Sequence, residues 1–157
     1  MRLTWDELRA ATGAHVHSGK LVGNAAIPHI TTDTRKISDG DLFIALRGEN
    51  FDGADFAADA LNKGAAAVLI AEPISDPVQK ALKKAKGAVL TVADTLTAYQ
   101  AIAHAWRMKF GVPVVAITGS NGKTTTKDLT AAVLSARGTV CRTAANYKAS
   151  STASANT

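Results

Sequence analysis

The feature that most constrains the fold is an alternation of apolar runs and helical segments that begins at residue 54. The runs "AAAVLIA" (65–71), "AVLTVA" (88–93) and "PVVAIT" (113–118) each predict a short buried strand. The segments between them carry helix-start signals and helical spacing of apolar residues. Strands that alternate with helices in this way predict parallel sheets and the α/β class.

Capping signals indicate where several helices begin. "TWDE", from Thr4 to Glu7, has the spacing of a capping box. In "SDPVQKALKKAKG" we predict Asp76 as the N-cap and Pro77 as the first helical residue. Asp94 is predicted to cap the longest helix, "TLTAYQAIAHAWRMKFG". Its apolar residues at the 3.6 period predict the buried face: Leu96, Tyr99, Ile102, Ala103 and Trp106.

The amino-terminal third is less regular. "GKLVGNAAIPHITTDTR" contains two glycines and a proline and predicts short strands and turns. "DLFIAL", residues 41–46, follows a turn and predicts a buried strand. The polar segment "RGENFDGADF" after it predicts a loop, and "ADFAADALNKG" predicts a helix closed by Gly64.

Composition is that of a soluble globular protein. Of 157 residues, 46% are hydrophobic and 20% are charged. Cys141 is the only cysteine, which excludes an internal disulfide. The first residues carry Asp6 and Glu7 where a secretory signal would be apolar, and the apolar runs are too short to span a bilayer. We therefore expect a cytoplasmic protein with no membrane insertion.

The net charge of +5 raises the question of nucleic-acid binding. The densest basic cluster has the helical spacing of a solvated face: Lys80, Lys83, Lys84 and Lys86. Aromatic residues make up only 5% of the chain, too few for a base-stacking surface. We expect no nucleic-acid partner.

The segment "AITGSNGKTTTKD", residues 116–128, predicts a phosphate-binding loop between a strand and a helix. Gly119 and Gly122 would let backbone N–H groups turn toward phosphate oxygens at the positive end of the helix. Lys123 would neutralise phosphate charge, and the hydroxyl of Thr124 would ligate Mg²⁺. The segment therefore predicts a site for a nucleoside triphosphate.

The loop departs from the commonest spacing, because Ile117 stands where a glycine is usual. A glycine-rich turn with a chance Gly-Lys-Thr is the structural alternative. An unrelated P-loop NTPase is a second alternative, and it would need a later carboxylate to hold the metal. After Asp128, however, the sequence contains no Asp, Glu or His.

Two motifs in order resemble the Mur ligase family, which builds the peptide stem of peptidoglycan. "ITGSNGKTTTKDL" resembles the family's ATP loop, T-G-[ST]-x-G-K-[ST], in which Ile117 is expected. "TTDTRKISDGDLFIALRGENFDG" resembles the family's UDP-binding region, with its Asp-[Ser/Thr]-Arg and Gly-Asp-Leu-Phe elements. The resemblance runs from residue 1 to about residue 147.

The resemblance implies roles for individual residues. The ATP phosphates would lie on a run of seven residues, of which Lys123 would be catalytic and Thr124 would ligate Mg²⁺: Gly119, Ser120, Asn121, Gly122, Lys123, Thr124 and Thr125. Contacts to the UDP-bearing substrate would come from Thr34, Arg35, Asn50 and Phe51. A structural alternative stays open, in which Asp33 pairs with Arg35 to fix a turn and Asp52-Gly53 is a plain turn.

The implied activity is ATP-dependent amide-bond formation through an acyl phosphate, in peptidoglycan precursor synthesis. The Lys127-Asp128 continuation and "RTAANY" are most similar to members that add D-alanyl-D-alanine to UDP-N-acetylmuramoyl-tripeptide. Members that add the third stem residue are the near alternative. A non-catalytic UDP-sugar-binding module is a further one.

The resemblance also implies a domain layout. We expect a UDP-substrate-binding domain over 1–93, a connecting helix over 94–111, part of an ATP domain over 112–147, and a disordered tail over 148–157. Ala54 replaces the histidine that family members usually carry after "DG". The sequence after "NY" also departs from the family, so we expect a truncated chain that does not ligate alone.

Overall fold

A computed structural model describes residues 2–48 and 51–143 and forms two compact units, Met1–Phe110 and Gly111–Thr157. The elements of the first unit are α1 (Trp5–Thr12), β1 (His15–Ser18), β2 (Ile30–Thr31), a 3₁₀ helix (Thr34–Lys36), β3 (Leu42–Ile44), a second 3₁₀ helix (Gly53–Phe56), α2 (Ala57–Asn62), β4 (Ala67–Ala71), α3 (Asp76–Leu82), β5 (Ala88–Val92) and α4 (Thr95–Met108). The second unit contains α5 (Lys123–Ser135). No helix within the described ranges is long and apolar enough to cross a membrane.

The first unit is built on a five-stranded sheet in the order β1-β5-β4-β3-β2. Strands β2 to β5 are parallel, and β1 pairs with β5 in the antiparallel direction. The register places Ile44 beside Leu69 and Leu69 beside Leu90. The α/β class and the three apolar strands predicted within residues 41–93 are confirmed.

Both faces of the sheet are covered by helices, because alternate side chains of a strand point to opposite faces. Leu42, Leu69 and Leu90 share one hydrophobic cluster with residues of α1 and α4. Phe43 and Val68 belong to a second cluster with residues of α2 and α3. Parallel strands buried on both faces are apolar throughout, which is why these runs stand out in the sequence.

Two of the predicted caps are confirmed. The backbone N–H of Thr4 donates to Glu7 Oε2 at 2.9 Å, and the N–H of Glu7 donates to Thr4 Oγ1 at 3.3 Å. The N–H of Thr97 donates to Asp94 Oδ1 at 2.6 Å, which satisfies one free amide at the start of α4. This bond is the main cause of the lowered pKa of Asp94.

The predicted N-cap at Asp76 is wrong by one residue. Ser75 is the cap, with an extended backbone, and Asp76 is the first residue of α3. Pro77 lies in the first turn, where a missing N–H leaves no hydrogen bond unmade. The basic cluster is exposed, as predicted, but only Lys80 lies in α3, and the other three lysines follow its end: Lys80, Lys83, Lys84 and Lys86.

The buried face of α4 differs in part from the predicted stripe. Ile102 is buried, and Tyr99 and Trp106 pack against the core. Leu96 is exposed, and Ala98 is buried instead. The buried residues of the helix, Thr95, Ala98 and Ile102, are mostly small. The helix therefore packs through the small residues Thr95 and Ala98 as well as through larger ones, and apolar periodicity alone does not single out the small ones.

The two ends of the first unit are joined by Lys109. Its Nζ lies 2.7 Å from both carboxylate oxygens of Glu7 and 3.1 Å from the carbonyl oxygen of Arg2. The hydrogen bond from Lys109 is also the largest cause of the lowered pKa of Glu7. The residue after α4 is thus fastened to the start of α1, which agrees with the packing of these two helices against each other.

The second unit contains one helix and no strand among residues 111–143. The strand predicted at 113–118 is therefore wrong. The segment "TVCRTA" (139–144) also predicts a strand, but the structure shows none over residues 139–143, and residue 144 lies outside the described part. Val114 and Val115 are 68% and 62% exposed. A strand is defined by hydrogen bonds to a neighbouring strand, and the described part of this unit supplies no such neighbour.

Because the core is centred on the sheet, shortening a buried side chain of a central strand should lower the stability of the first unit. We expect Leu69→Ala to lower the free energy of unfolding by about 3 kcal/mol, because Leu69 is fully buried and its loss leaves a cavity. Urea unfolding followed by tryptophan fluorescence reports on this unit, since Trp5 and Trp106 both lie in it. Val22→Ala, at an exposed position, should change stability by less than about 0.5 kcal/mol. A Leu69→Ala loss as small as the control's would contradict the assignment of the core.

Candidate functional site

The predicted phosphate-binding loop has the backbone that such a site requires. Gly119 and Gly122 have φ angles of 148° and 75°, in the region that favours glycine. Gly122 is the N-cap residue of α5, and its carbonyl oxygen accepts the first helical hydrogen bond, from Thr126 N–H, at 2.9 Å. The loop therefore turns directly into the positive end of a 13-residue helix.

Lys123 is the first residue of α5, and its ammonium group lies on the loop. Nζ donates to the carbonyl oxygen of Gly119 and, at 3.3 Å, to that of Ser120. The side chains of Thr124 and Thr125 follow on the first turn of α5, and all the predicted loop residues are exposed. A cation, the amides of the first helical turn and hydroxyl groups at one end of a helix suit an oligophosphate.

Asp128 does not stand free as a metal ligand. Its carboxylate pairs with Arg142 and lies 3.6 Å from Nζ of Lys127, which itself donates to the carbonyl oxygen of Thr143 at 2.7 Å. These contacts tie the middle of α5 to residues 142–143. No group of three or more His, Cys, Asp or Glu side chains within the described ranges could hold a metal ion.

The first candidate substrate loop follows β2. Asp33 caps the 3₁₀ helix that contains Thr34 and Arg35. Its carboxylate accepts hydrogen bonds from Arg35 Nε at 2.9 Å, from a guanidinium nitrogen at 2.8 Å and from the Arg35 backbone N–H at 3.0 Å. These bonds hold the pKa of Asp33 well below its usual range. The Asp33–Arg35 pair left open by the sequence is present, and it fixes the loop that carries Thr34.

The second candidate substrate loop follows β3. The N–H of Gly48 donates to the carbonyl oxygen of Phe51 at 2.9 Å, and Arg47 forms an ion pair with Asp52 at 2.8 Å. Asp52 also accepts from the N–H of Ala54 at 2.9 Å, so the Asp52-Gly53 turn is present. The ring of Phe51 lies against Gly48 and is 60% exposed. The predicted Asn50 lies outside the described residues.

The two substrate loops lie at the same edge of the sheet. Both follow neighbouring parallel strands, β2 and β3, at their carboxyl ends. Small ligands of open α/β sheets bind at this edge. Sequence reasoning missed Arg47, whose partner is five residues away across a loop, a spacing with no local signal. It also missed Lys63, whose Nζ lies 3.4 Å from the carbonyl oxygen of Thr34.

Family models match both units of the chain. The model "Mur ligase family, catalytic domain" matches residues 26–107, just over half of the chain. The model "Mur ligase middle domain" matches residues 117–157. The chain belongs to the Mur ligase family.

Curated relatives are named for two activities. The UDP-N-acetylmuramoyl-tripeptide–D-alanyl-D-alanine ligase of Synechocystis is 50% identical over 121 residues, which are 77% of this chain and 25% of the relative. The UDP-N-acetylmuramoyl-L-alanyl-D-glutamate–2,6-diaminopimelate ligase of Geobacillus kaustophilus is 35% identical over 119 residues, 74% of this chain and 22% of the relative. The chain thus spans about a quarter of the length of the relatives it matches.

Solved structures give the same picture. MurF from Acinetobacter baumannii superimposes with a TM-score of 0.73 at 33% identity, covering 87% of this chain and 28% of that one. MurF from Thermotoga maritima, solved in complex with ADP, has a TM-score of 0.59 at 28% identity, covering 69% of this chain and 23% of that one.

The Asp33–Arg35 pair predicts a pH dependence. Because the folded-state pKa of Asp33 is lowered, the pair contributes stability above the unfolded-state pKa and loses it as the pH falls through the folded one. We expect Arg35→Gln to raise the pKa of Asp33 toward its ordinary value. Lys36→Gln should raise it less, since Lys36 acts only through its charge. Carboxyl ¹³C NMR titration measures both, and equal effects of the two variants would contradict the pairing.

Proposed function

We propose that this chain supplies the substrate-binding domain and the ATP phosphate loop of a ligase that adds D-alanyl-D-alanine to UDP-N-acetylmuramoyl-tripeptide. In the whole enzyme the substrate carboxyl group is activated as an acyl phosphate, and the amine of the dipeptide then forms the amide bond. The setting we propose is cytoplasmic peptidoglycan precursor synthesis, within a pathway of cell-wall growth and division. The proposal is supported by relatives and structural neighbours named for this activity.

The observation that carries the proposal is the loop at residues 119–125. Its two glycines have positive φ angles, and the ammonium group of Lys123 lies on its carbonyl oxygens. A positive group and helix amides placed together stabilise the negative charge of a transferring phosphoryl group. Lys123 is therefore the residue to which we assign the catalytic role on the ATP side.

The residues present fit Mg²⁺ only in part. The hydroxyl of Thr124, on the first turn of α5, is the group we propose as a metal ligand. Bound there, the ion would supply charge neutralisation between phosphate oxygens. Because Asp128 is paired with Arg142, we assign it no part in holding the ion.

The substrate loops supply a complementary surface for a uridine nucleotide. The exposed ring of Phe51 offers a face on which a base can stack. The hydroxyl of Thr34 is held in place, because Asp33 caps the helix on which it lies. Asn50 and Arg35 complete the set of proposed substrate contacts, with the Arg35 guanidinium already bound to Asp33.

Addition of the third stem residue is the second candidate. It is favoured by diaminopimelate-adding relatives with 35% and 39% identity to this chain. The 50% identity to a D-alanyl-D-alanine-adding relative favours the first assignment. Titration with UDP-N-acetylmuramoyl-tripeptide and with UDP-N-acetylmuramoyl-dipeptide compares the two, since each activity uses a different one of these as the substrate that supplies the carboxyl group. Tighter binding of the dipeptide form would reverse the assignment.

The phosphate loop predicts a charge-dependent affinity for ADP. We expect Lys123→Met to raise the Kd of ADP about tenfold or more, because a hydrogen bond to a charged group is lost. Isothermal titration calorimetry on the 157-residue chain measures this. Arg137→Gln removes one positive charge beyond the other end of α5 and is the matched control, for which the Kd should stay within about twofold. Equal losses in both variants would show a general charge effect and overturn the role of Lys123.

The substrate loops predict a stacking contribution to UDP binding. We expect Phe51→Ala to raise the Kd of UDP about tenfold, as loss of one base–aromatic contact does. Phe56→Ala removes another exposed ring close by and should leave the Kd within about twofold. Thr34→Val, which removes only the hydroxyl group, should weaken UDP binding while leaving ADP binding unchanged. Unchanged UDP affinity in both Phe51→Ala and Thr34→Val would contradict the site.

A further inference from the structure

A cavity lies in the first unit, away from the two substrate loops. It is a cavity of about 440 Å³ between α1, β1 and the segment that follows β1. This volume is in the range of sites that bind small molecules. Because β1 runs antiparallel to β5, the end of β1 lies at the amino-terminal edge of the parallel strands. The substrate loops lie at the carboxyl edge.

The walls of the cavity are fixed by backbone contacts. The N–H of Asp6 donates to the carbonyl oxygen of Gly23 at 2.9 Å, and the carboxylate of Asp6 lies where a side chain at residue 23 would stand. At the other end of the segment, a side chain at Gly19 would collide with the carbonyl group of Gly87. The hydrogen bond from Asp6 holds one end of the segment, and the other end lies close against the backbone of Gly87.

The side chains that line the cavity carry more positive than negative charge. Arg9 and Asp6 form a loose pair, with 4.0 Å between their charged atoms. Lys20 is exposed and forms no ion pair with any carboxylate in the part of the chain that the structure describes. Two cationic groups and one acidic group thus line one cavity. An anionic group is the ligand chemistry that this set favours.

The remaining lining is apolar. Val16 is 40% exposed although it lies on a strand, and Leu21 is half-buried. Trp5 contributes to the wall from the buried core. Apolar surface that remains exposed inside a preformed cavity is stabilised when a ligand removes it from water.

We propose that this cavity binds a small organic carboxylate with an apolar body, whose carboxylate group lies between Arg9 and Lys20 and whose body covers Val16 and Leu21. The site is independent of the ligase assignment, because it uses none of the residues placed in the substrate or phosphate loops.

Phenylacetate is the probe that tests this site, with phenylacetamide as a neutral molecule of the same shape. ¹H–¹⁵N NMR titration of the 157-residue chain should show saturable shifts of the Trp5 indole and the Leu21 amide with phenylacetate. With phenylacetamide the shifts should be at least about fivefold weaker at equal concentration. Equal shifts with the two molecules would overturn the anionic part of the proposal, and no saturable shift would overturn the site.

Variants locate the binding on this cavity. We expect Lys20→Gln and Arg9→Gln each to raise the Kd of phenylacetate about threefold to tenfold, and Val16→Glu to abolish binding by repelling the anion. Lys83→Gln, at the exposed residue that follows α3, and Val22→Ala, beside the cavity but outside its lining and without a change of charge, are the matched controls and should leave the Kd unchanged. ADP and UDP titrations of the same variants should also be unchanged. A loss of phenylacetate binding in the controls equal to that in the lining variants would overturn the assignment.

Discussion

The burial of β3, β4 and β5 on both faces is the constraint on which the rest of the first unit depends. Leu69 and Leu90 face one pair of helices, and Val68 and Val89 face the other, so neither helical layer can be removed without exposing the sheet. The parallel strand order places every connection from one strand to the next over a face. The carboxyl ends are then left free to carry loops, which is where the candidate substrate residues lie.

The two binding sites of the proposed ligase, the substrate loops and the phosphate loop, are ordered by different kinds of interaction. The substrate loops are ordered by charged side chains, with Asp33 bound to Arg35 and Arg47 bound to Asp52. The phosphate loop is ordered by backbone conformation, and its one charged side chain, that of Lys123, bonds only to carbonyl oxygens. Among the described residues, Arg35 and Arg47 of the substrate loops are each paired with a carboxylate, whereas Lys123 of the phosphate loop contacts carbonyl oxygens.

Much of the fold could be predicted from the sequence, because the buried strands are continuous apolar runs and the helices begin at capping residues. The strand β1, "HVHS", could not be, since it is polar, exposed and defined only by pairing with β5, some seventy residues away. The apolar composition of residues 113–118 predicts a strand, but composition does not show whether a neighbouring strand is present to pair with it. The residues of the phosphate loop could be identified from their spacing in the sequence alone. The domain layout and the roles of these residues stay predictions.

The contact of Lys109 with the carbonyl oxygen of Arg2 has a consequence for engineering. It brings Arg2, the first described residue, within the reach of the side chain of Lys109, the residue before the end of this unit. Neighbouring termini are the condition under which a chain can be circularly permuted or inserted into a host loop. A linker of a few residues could therefore join Phe110 to Arg2, and new ends could be opened in an exposed connection. The unit could then be transplanted as a whole into another protein.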